Sequence, residues 1–501
     1  MENAKRELAR LLSNAGIFLA ADAAEAAIGG VDLNLIVSKL IEAKSGAEGL
    51  KIATPGDVER AVSSIEEDRL AKTPKPVEVS RTGSFVPYAS EIEADYRIEA
   101  RDAEQTEGNV NGFVDYFRNR LSRLRQVLET RSHTVAPSIE ALKDYAAGRE
   151  VVIIGMVNSR ITTRNGNTMM LMEDGTAEAK VMFMKAESRE GAALFASANR
   201  IVNDEVIAVR GRLSGPFVIA KEILWPDVPI RERKEVEEDA AIAFISDVHV
   251  GSKFFMERNF VKMLEWLSGN VDSKSKALAG KVKYIVIGGD VVDGIGIYPE
   301  QEENLAILDI YQQYRVLQGL LESIPDYIHV FVLPGDHDAV QMAEPQPAFP
   351  KELIDMDRGN IHFVSNPCNL TLHGIDVLAY HGYGLVPMIH AIPGLSFIHP
   401  EEVMIEMLKR RHLSPIYGGS VIVPSRNDNL VIDRIPDIFH TGHIHKNGIS
   451  EYHGVHVVNS GSWQGFTPYQ GKRGLQPTPC NLPVFEAKSY RFTTVDFTGV
   501  V

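Results

Sequence analysis

The sequence predicts a multidomain α/β protein, and three observations carry that expectation. At 501 residues the chain is too long for one compact core. Between about 150 and 228, five short β-rich runs alternate with turn signals such as Asn165-Gly166 and Asp174-Gly175. From residue 241 to the end, apolar strands alternate with helical stretches, the pattern of a layered α/β domain.

Residues 1–70 read as a helical N-terminal module. Leu8, Leu11, Leu12, Ile17 and Leu19, followed by VDLNLIVSKLIEA, place apolar residues at helical intervals. A third helix starts where Thr54 caps free amides, Pro55 takes the first helical position and Asp57 sits near the positive end. Residues 71–110 carry prolines and charges with little apolar periodicity, and read as a flexible linker. A helical connector over 111–149 follows, with Phe113, Phe117, Leu121, Leu124 and Leu128 on one stripe. Its Arg118, Arg120, Arg123 and Arg125 read as a solvated face or, more sharply, as contacts to DNA phosphates. Over 150–230, the order of the five β runs resembles the OB-fold. That stretch offers only Phe183, Phe195, Phe217 and Trp225 for base stacking, so it reads first as a packing or subunit-interface barrel. The last domain, 240–501, follows the charged hinge RERKEVEED.

Hydrophobic content of 44% and charged content of 24% describe a globular chain, not a disordered one. Cys368 and Cys480 have no Cys-x-x-Cys spacing, so neither a disulfide framework nor a thiolate zinc site is expected. Asp22 and Glu25 interrupt the stretch where a signal peptide needs its apolar core, and no run approaches membrane-spanning length. A cytoplasmic protein outside the membrane is the expectation. A net charge of −15 argues against this chain wrapping nucleic acid alone, and points to a partner subunit that helps hold it.

Chemistry concentrates in the last domain. AIAFISDVHVG is an apolar run ending in Asp247 and His249. Two residues apart on a strand, these point to the same side and can grip one ion. KYIVIGGDVVDG repeats the layout with Gly288 and Gly289 before Asp290 and Asp293. YIHVFVLPGDHDAV repeats it again with Asp336, His337 and Asp338. His381 follows IDVLAYHGYG, and His443 and His445 lie in DIFHTGHIHKNG behind His440. Ligands of open α/β sheets gather at the carboxyl ends of strands, where all five clusters fall. Isolated His390, His399 and His412 are set aside as surface or core residues. Carboxylate and imidazole donors without thiolate suit manganese, with iron, zinc or magnesium as alternatives. Seven donors exceed one tetrahedral site but suit two ions bridged by a carboxylate, and Asp290 is the natural bridge.

The order Asp-x-His, Gly-Asp-x-x-Asp, Gly-Asp-His-Asp, His, Gly-His-x-His resembles the calcineurin-like metallophosphoesterase superfamily over about residues 240–480. With the barrel upstream and the helical module before it, the whole chain resembles the small subunits of archaeal family D DNA polymerases. The resemblance implies a metallophosphoesterase-type β-sandwich flanked by helices. Asp247, His249, Asp290 and His445 would hold one divalent ion, and Asp290, Asp336, His381 and His443 the other. His337 would be catalytic and oriented by Asp338. Apart from the resemblance, Asp293 and His440 lie beside ligands and read as hydrogen-bonding groups behind them, which metal-bound histidines usually require. The resemblance further implies 3′–5′ exonuclease activity on single-stranded DNA ends, a large catalytic polymerase subunit as partner, and a sliding clamp as a further candidate. One departure is Asp336, where the superfamily usually has Asn; the added carboxylate makes that ion's surroundings more negative. Two other readings compete. A phosphatase would resemble Gly-Asp-x-Val-Asp-Arg-Gly, but Gly294 stands at the arginine. A non-editing scaffold subunit would have lost the ligands, yet all seven positions hold residues able to bind metal.

Overall fold

A computed structural model describes residues 2–19, 33–44, 51–72, 85–101, 109–132, 135–270, 273–356 and 358–499. The chain divides into two units, Met1–Pro76 and Val77–Val501.

In the first unit α1 (Glu2–Asn14), β1 (Ile17–Leu19), α2 (Leu33–Lys44), β2 (Lys51–Ala53) and α3 (Pro55–Lys72) follow in order, with β1 and β2 parallel. Leu8, Leu12, Ile36, Leu40, Val58, Ala61 and Ile65 bury one face of each helix against Ile17 and Ala53. Such packing is what stabilises helices this short. Ile17 and Leu19, expected at helical positions, lie in β1 instead. Gly16, at φ +72°, ends α1 in a left-handed conformation that glycine adopts without strain. At the start of α3, Thr54 Oγ1 accepts from the Asp57 amide at 3.3 Å and Asp57 Oδ2 accepts from the Thr54 amide at 2.9 Å. Two orphan donors are thereby satisfied reciprocally.

In the second unit, part of the stretch expected to be a flexible linker is a strand. Residues 73–84 and 102–108 lie outside the described residues, but β3 (Tyr96–Ala100) pairs antiparallel with Cys368–Leu372. Asp95 donates its amide to Tyr284 Oη at 2.8 Å. The partner edge lies far away in sequence, so local composition carried no trace of it.

In helix α4 (Val110–Glu129), three of the four arginines read as phosphate contacts have partners within the chain. Arg120 is 1% exposed and donates to Asp428 at 2.6 Å and to the Pro415 carbonyl at 2.7 Å. Arg123 is paired with Asp433 and donates to the Asp428 carbonyl. Arg125 pairs with Glu129 and donates to the carbonyls of Ala136 and Pro137. These side chains fasten α4 to its surroundings; Arg118 lines an open groove, beside Phe117 and Tyr417.

Strands β4 (Glu150–Thr162), β5 (Thr168–Glu173) and β6 (Glu178–Phe183), helix α5 (Arg189–Ala198), and strands β7 (Val206–Ser214) and β8 (Phe217–Leu224) form a closed barrel in the order β4-β5-β6-β8-β7. Val151, Ile153, Met170, Met172, Val181, Phe183, Ile207 and Val209 fill it. Phe183 is wholly buried and offers no face for base stacking. Leu124 and Leu128 of α4 pack on its outer face against Val152, Ile154, Val206 and Ala208.

The rest of the unit comprises β9 (Ala241–Ile245), α6 (Glu257–Leu267), α7 (Ser273–Ala279), β10 (Val282–Gly288), α8 (Ile310–Glu322), β11 (His329–Leu333), β12 (Ile361–Phe363), β13 (Cys368–Leu372), β14 (Ile375–Ala379), α9 (Leu385–Ala391), α10 (Pro400–Arg410), β15 (Ile438–Thr441), β16 (Asn447–Tyr452), β17 (Val455–Ser460), α11 (Pro468–Lys472), β18 (Asn481–Glu486) and β19 (Arg491–Asp496). Two six-stranded sheets form, β12-β11-β10-β9-β18-β19 and β16-β17-β15-β14-β13-β3. Their inner faces share a core in which Ile242, Phe244, Val286 and Phe331 meet Leu370, Val377, Ile438 and Val458. The outer face of the first sheet is covered by α6 and α8, that of the second by α9 and α10. Burial on both faces explains why the parallel strands read as continuous apolar runs. Parallel pairing of β9, β10 and β11, and of β14, β15 and β17, brings their carboxyl ends to common edges. No described helix is long and apolar enough to cross a membrane.

Candidate metal centre

Each motif leaves its strand just before the polar residues begin. β9 stops at Ile245, β10 at Gly288, β11 at Leu333, β14 at Ala379 and β15 at Thr441. Asp247 and His249 therefore do not owe their shared direction to strand alternation, as the sequence reading supposed. Both adopt φ of +53°, and Asp290, His443 and His445 are likewise left-handed at +52°, +67° and +57°. Five of the seven candidate ligands thus occupy a conformation that costs non-glycine residues free energy and that concentrates at functional sites. Glycines make room around them: a Cβ on Gly288 would approach His440 to 2.8 Å, and one on Gly442 would overlap Ser246 and Asp247.

The seven side chains fall into two groups whose donor atoms lie within 4.8 Å of one another. In the first, His445 Nε2 lies 3.2 Å from Asp247 Oδ1 and 3.1 Å from His249 Nε2. In the second, Asp336 Oδ1 lies 2.7 Å from His381 Nε2 and 3.0 Å from His443 Nδ1. Asp290 Oδ2 stands between the groups, 3.8 Å from His249 Nε2 and 3.5 Å from His381 Nε2. Its other oxygen accepts from the His337 amide at 2.9 Å. Imidazole nitrogens facing each other at 3.1 and 3.3 Å repel unless a proton or a cation sits between them. The carboxylates of Asp247, Asp290 and Asp336 beside them favour the cation, so the donor set fits two divalent ions.

Supporting contacts fix the ligand rings. His249 donates Nδ1–H to Asp293 at 3.0 Å, and Gln464 and Gln301 hold Asp293 in turn. His381 donates Nδ1–H to the Gly288 carbonyl at 2.8 Å, which leaves Nε2 as its donor atom. His440 is buried and bonded to Ser460, and touches no ligand through a hydrogen bond. Gln464, Gln470 and Gln301 were invisible to sequence reasoning, because a lone glutamine announces no chemistry.

Asp338 departs from its expected role. Its carboxylate accepts from the amides of Gly335, Val291 and Val292, bracing the loops after β10 and β11. His337 is oriented instead by the Asp293 carbonyl, 2.7 Å from its Nδ1. This leaves His337 Nε2 for the cavity that the ring lines.

Burial opposes every charge here, and neighbouring charges decide the outcome. Burial lowers the His249 pKa, but the Asp293 hydrogen bond and the charges of Asp293, Asp290 and Asp247 outweigh it and raise it to about 9. Burial likewise works against His381 and His443, yet Asp290 and Asp336 hold both above the ordinary imidazole value. His445 goes down, burial prevailing over Asp247. Asp247 and Asp336 stay ionised against burial because of the histidines around them. Burial and the Asp290 charge push Asp338 up to about 7.

The family profile of the DNA polymerase alpha/epsilon B-subunit matches residues 242–448. Among relatives, a protein of Archaeoglobus fulgidus named DNA polymerase II small subunit is 44% identical over 383 residues, covering 76% of each chain. Its namesake in Methanothermobacter thermautotrophicus is 38% identical over 444 residues, covering 87% of this chain and 90% of the relative. That of Methanocaldococcus jannaschii is 40% identical over 75% of this chain, a match that spans 64% of the relative's own length. By these matches the chain belongs to the family of archaeal DNA polymerase II small subunits.

Proposed function

We propose that this chain is a metal-dependent 3′–5′ exonuclease that edits DNA for a polymerase whose synthesis site lies on a larger partner subunit. The observation that carries it is the pair of donor groups with Asp290 Oδ2 between them, 3.8 Å from His249 and 3.5 Å from His381, beside a cavity of about 470 Å³ lined by His337. Two bound divalent ions, manganese by donor preference, would activate the attacking water and offset charge on the phosphate. The remaining work falls to the chain. Asp247, His249 and His445 would hold one ion, Asp336, His381 and His443 the other, with Asp290 between. Asp293, through its side chain on His249 and its carbonyl on His337, fixes a ligand and a catalytic ring together. A proton on His337 Nε2 passes to the leaving 3′ oxygen as the P–O bond breaks. Direction of cleavage rests on the family resemblance, and the large subunit as partner on the relatives' name and on the net charge of −15. The barrel, OB-like in this reading, serves packing and subunit contact.

The test is cleavage of end-labelled single-stranded and mismatched DNA by the full chain, with and without the large subunit, in manganese. His445→Ala is expected to abolish product formation. Cleavage that survives this change, or none by a metal-loaded wild type in either state, would overturn the reading.

A further inference from the structure

From His249 and His337 at the donor groups, a ladder of rings continues outward along the cavity wall to Tyr298 and Tyr469, which the chemistry itself does not need. His337 lies edge-on to His249 with centroids 4.7 Å apart, and Tyr298 follows 6.3 Å from His337. Tyr298 stacks on Tyr469 at 5.0 Å with 28° between planes. The Arg473 guanidinium lies 4.6 Å from the centre of the Tyr469 ring, with no carboxylate partner among the described residues. The ladder thus runs outward from a candidate ligand to an exposed cation.

Its outer rungs are fixed relative to the chemistry. Tyr469 sits on α11, where Thr467 and Gln470 form a capping box. Gln470 also bonds His445 Nδ1 at 2.8 Å, so one side chain ties the helix to a candidate ligand. Tyr469 is nevertheless 37% exposed, and neighbouring Phe466 56%. Both rings thus leave aromatic faces open to solvent beside the polar cleft. A flat aromatic face takes any nucleobase, and a free guanidinium takes a phosphate. The exposed contact between Arg473 and Tyr469 is weaker than a base–aromatic stack, so a base can displace the guanidinium, which then turns to the backbone. A paired base cannot reach the ring without leaving its own helix.

We propose that Tyr298, Tyr469 and Arg473 form a stacking platform for an unpaired nucleobase of a single strand whose phosphodiester lies over the donor groups, an inference that rests on the exonuclease reading above. The platform makes the site choose frayed or single-stranded ends over paired ones.

Binding is measured on the full chain in EDTA, by fluorescence anisotropy of labelled oligo(dT) and of an abasic oligomer of equal length. Wild type is expected to prefer oligo(dT), and Tyr469→Leu to weaken oligo(dT) binding by about tenfold while leaving abasic binding unchanged. Tyr469→Phe should keep the preference, and melting curves check that each variant is folded. Equal binding of the two oligomers by wild type, or equal weakening of both by Tyr469→Leu, would overturn the platform. A manganese arm separates the two readings. A wild type that prefers oligo(dT) but cleaves no strand, with or without the large subunit, refutes the exonuclease and leaves the platform as a binding site. Cleavage with an unchanged KM in Tyr469→Leu refutes the platform and leaves the exonuclease standing.

Discussion

Manganese can take His249 Nε2 only if that nitrogen gives up its proton, so affinity for the Asp247 group should climb with pH. The metal-free ring has a pKa raised to about 9, against a burial that would lower it, chiefly because of the Asp293 hydrogen bond. Between pH 6 and 8 the ring is protonated throughout, and each unit contributes tenfold to apparent affinity. One displaced proton therefore gives roughly a hundredfold gain across that range. The same raised pKa bears on stability with the opposite sign. In the metal-free chain, the charged His249 adds about 3 kcal/mol that is fully present below its unfolded pKa and lost as pH rises through about 9. Calorimetric titration of manganese into metal-free protein at pH 6, 7 and 8, in buffers of different ionisation enthalpy, reads both the affinity and the protons released. His381 and His443 also release protons, so Asp293→Asn isolates the share of His249: it should flatten the rise between pH 7 and 8. Affinity independent of pH, no proton release, or an unchanged slope in Asp293→Asn would refute the reasoning.

Other consequences follow from single contacts. His337→Ala should slow single-strand cleavage by roughly a hundred- to ten-thousandfold while metal content, read by elemental analysis, stays that of wild type. Asp428→Ala strands the buried Arg120 charge, which costs about 3–5 kcal/mol, and calorimetry should show the Val77–Val501 unit melting roughly 5 °C lower. An unchanged melting temperature would mean the pair is solvated. Gly442→Ala places a methyl group against Ser246 and Asp247, so manganese binding should be lost while circular dichroism still reports a folded chain.

Strand-length apolar runs ending in Asp and His were legible because a strand buried on both faces must be apolar throughout, and its polar end stands out against it. The barrel strands were legible for a related reason: β5 alternates buried and half-buried residues with period two. Contacts whose partner lies far along the chain were not legible. β3 looked like linker because β13 supplies its hydrogen bonds, and Arg120 looked solvated because Asp428 lies 308 residues away. Asp338 sits beside His337 in sequence, yet its carboxylate turns to the amides of Gly335, Val291 and Val292.

For the candidate site, the sequence by itself determined which donors are available and at which strand ends they emerge, since residue type and strand periodicity are local properties. Only the tertiary structure decided how they converge: through left-handed backbone at Asp247, His249, Asp290, His443 and His445, with Asp290 between the groups and glutamines behind them. Strained conformations of this kind persist only where packing from distant segments over-determines them, and that packing belongs to the folded chain as a whole.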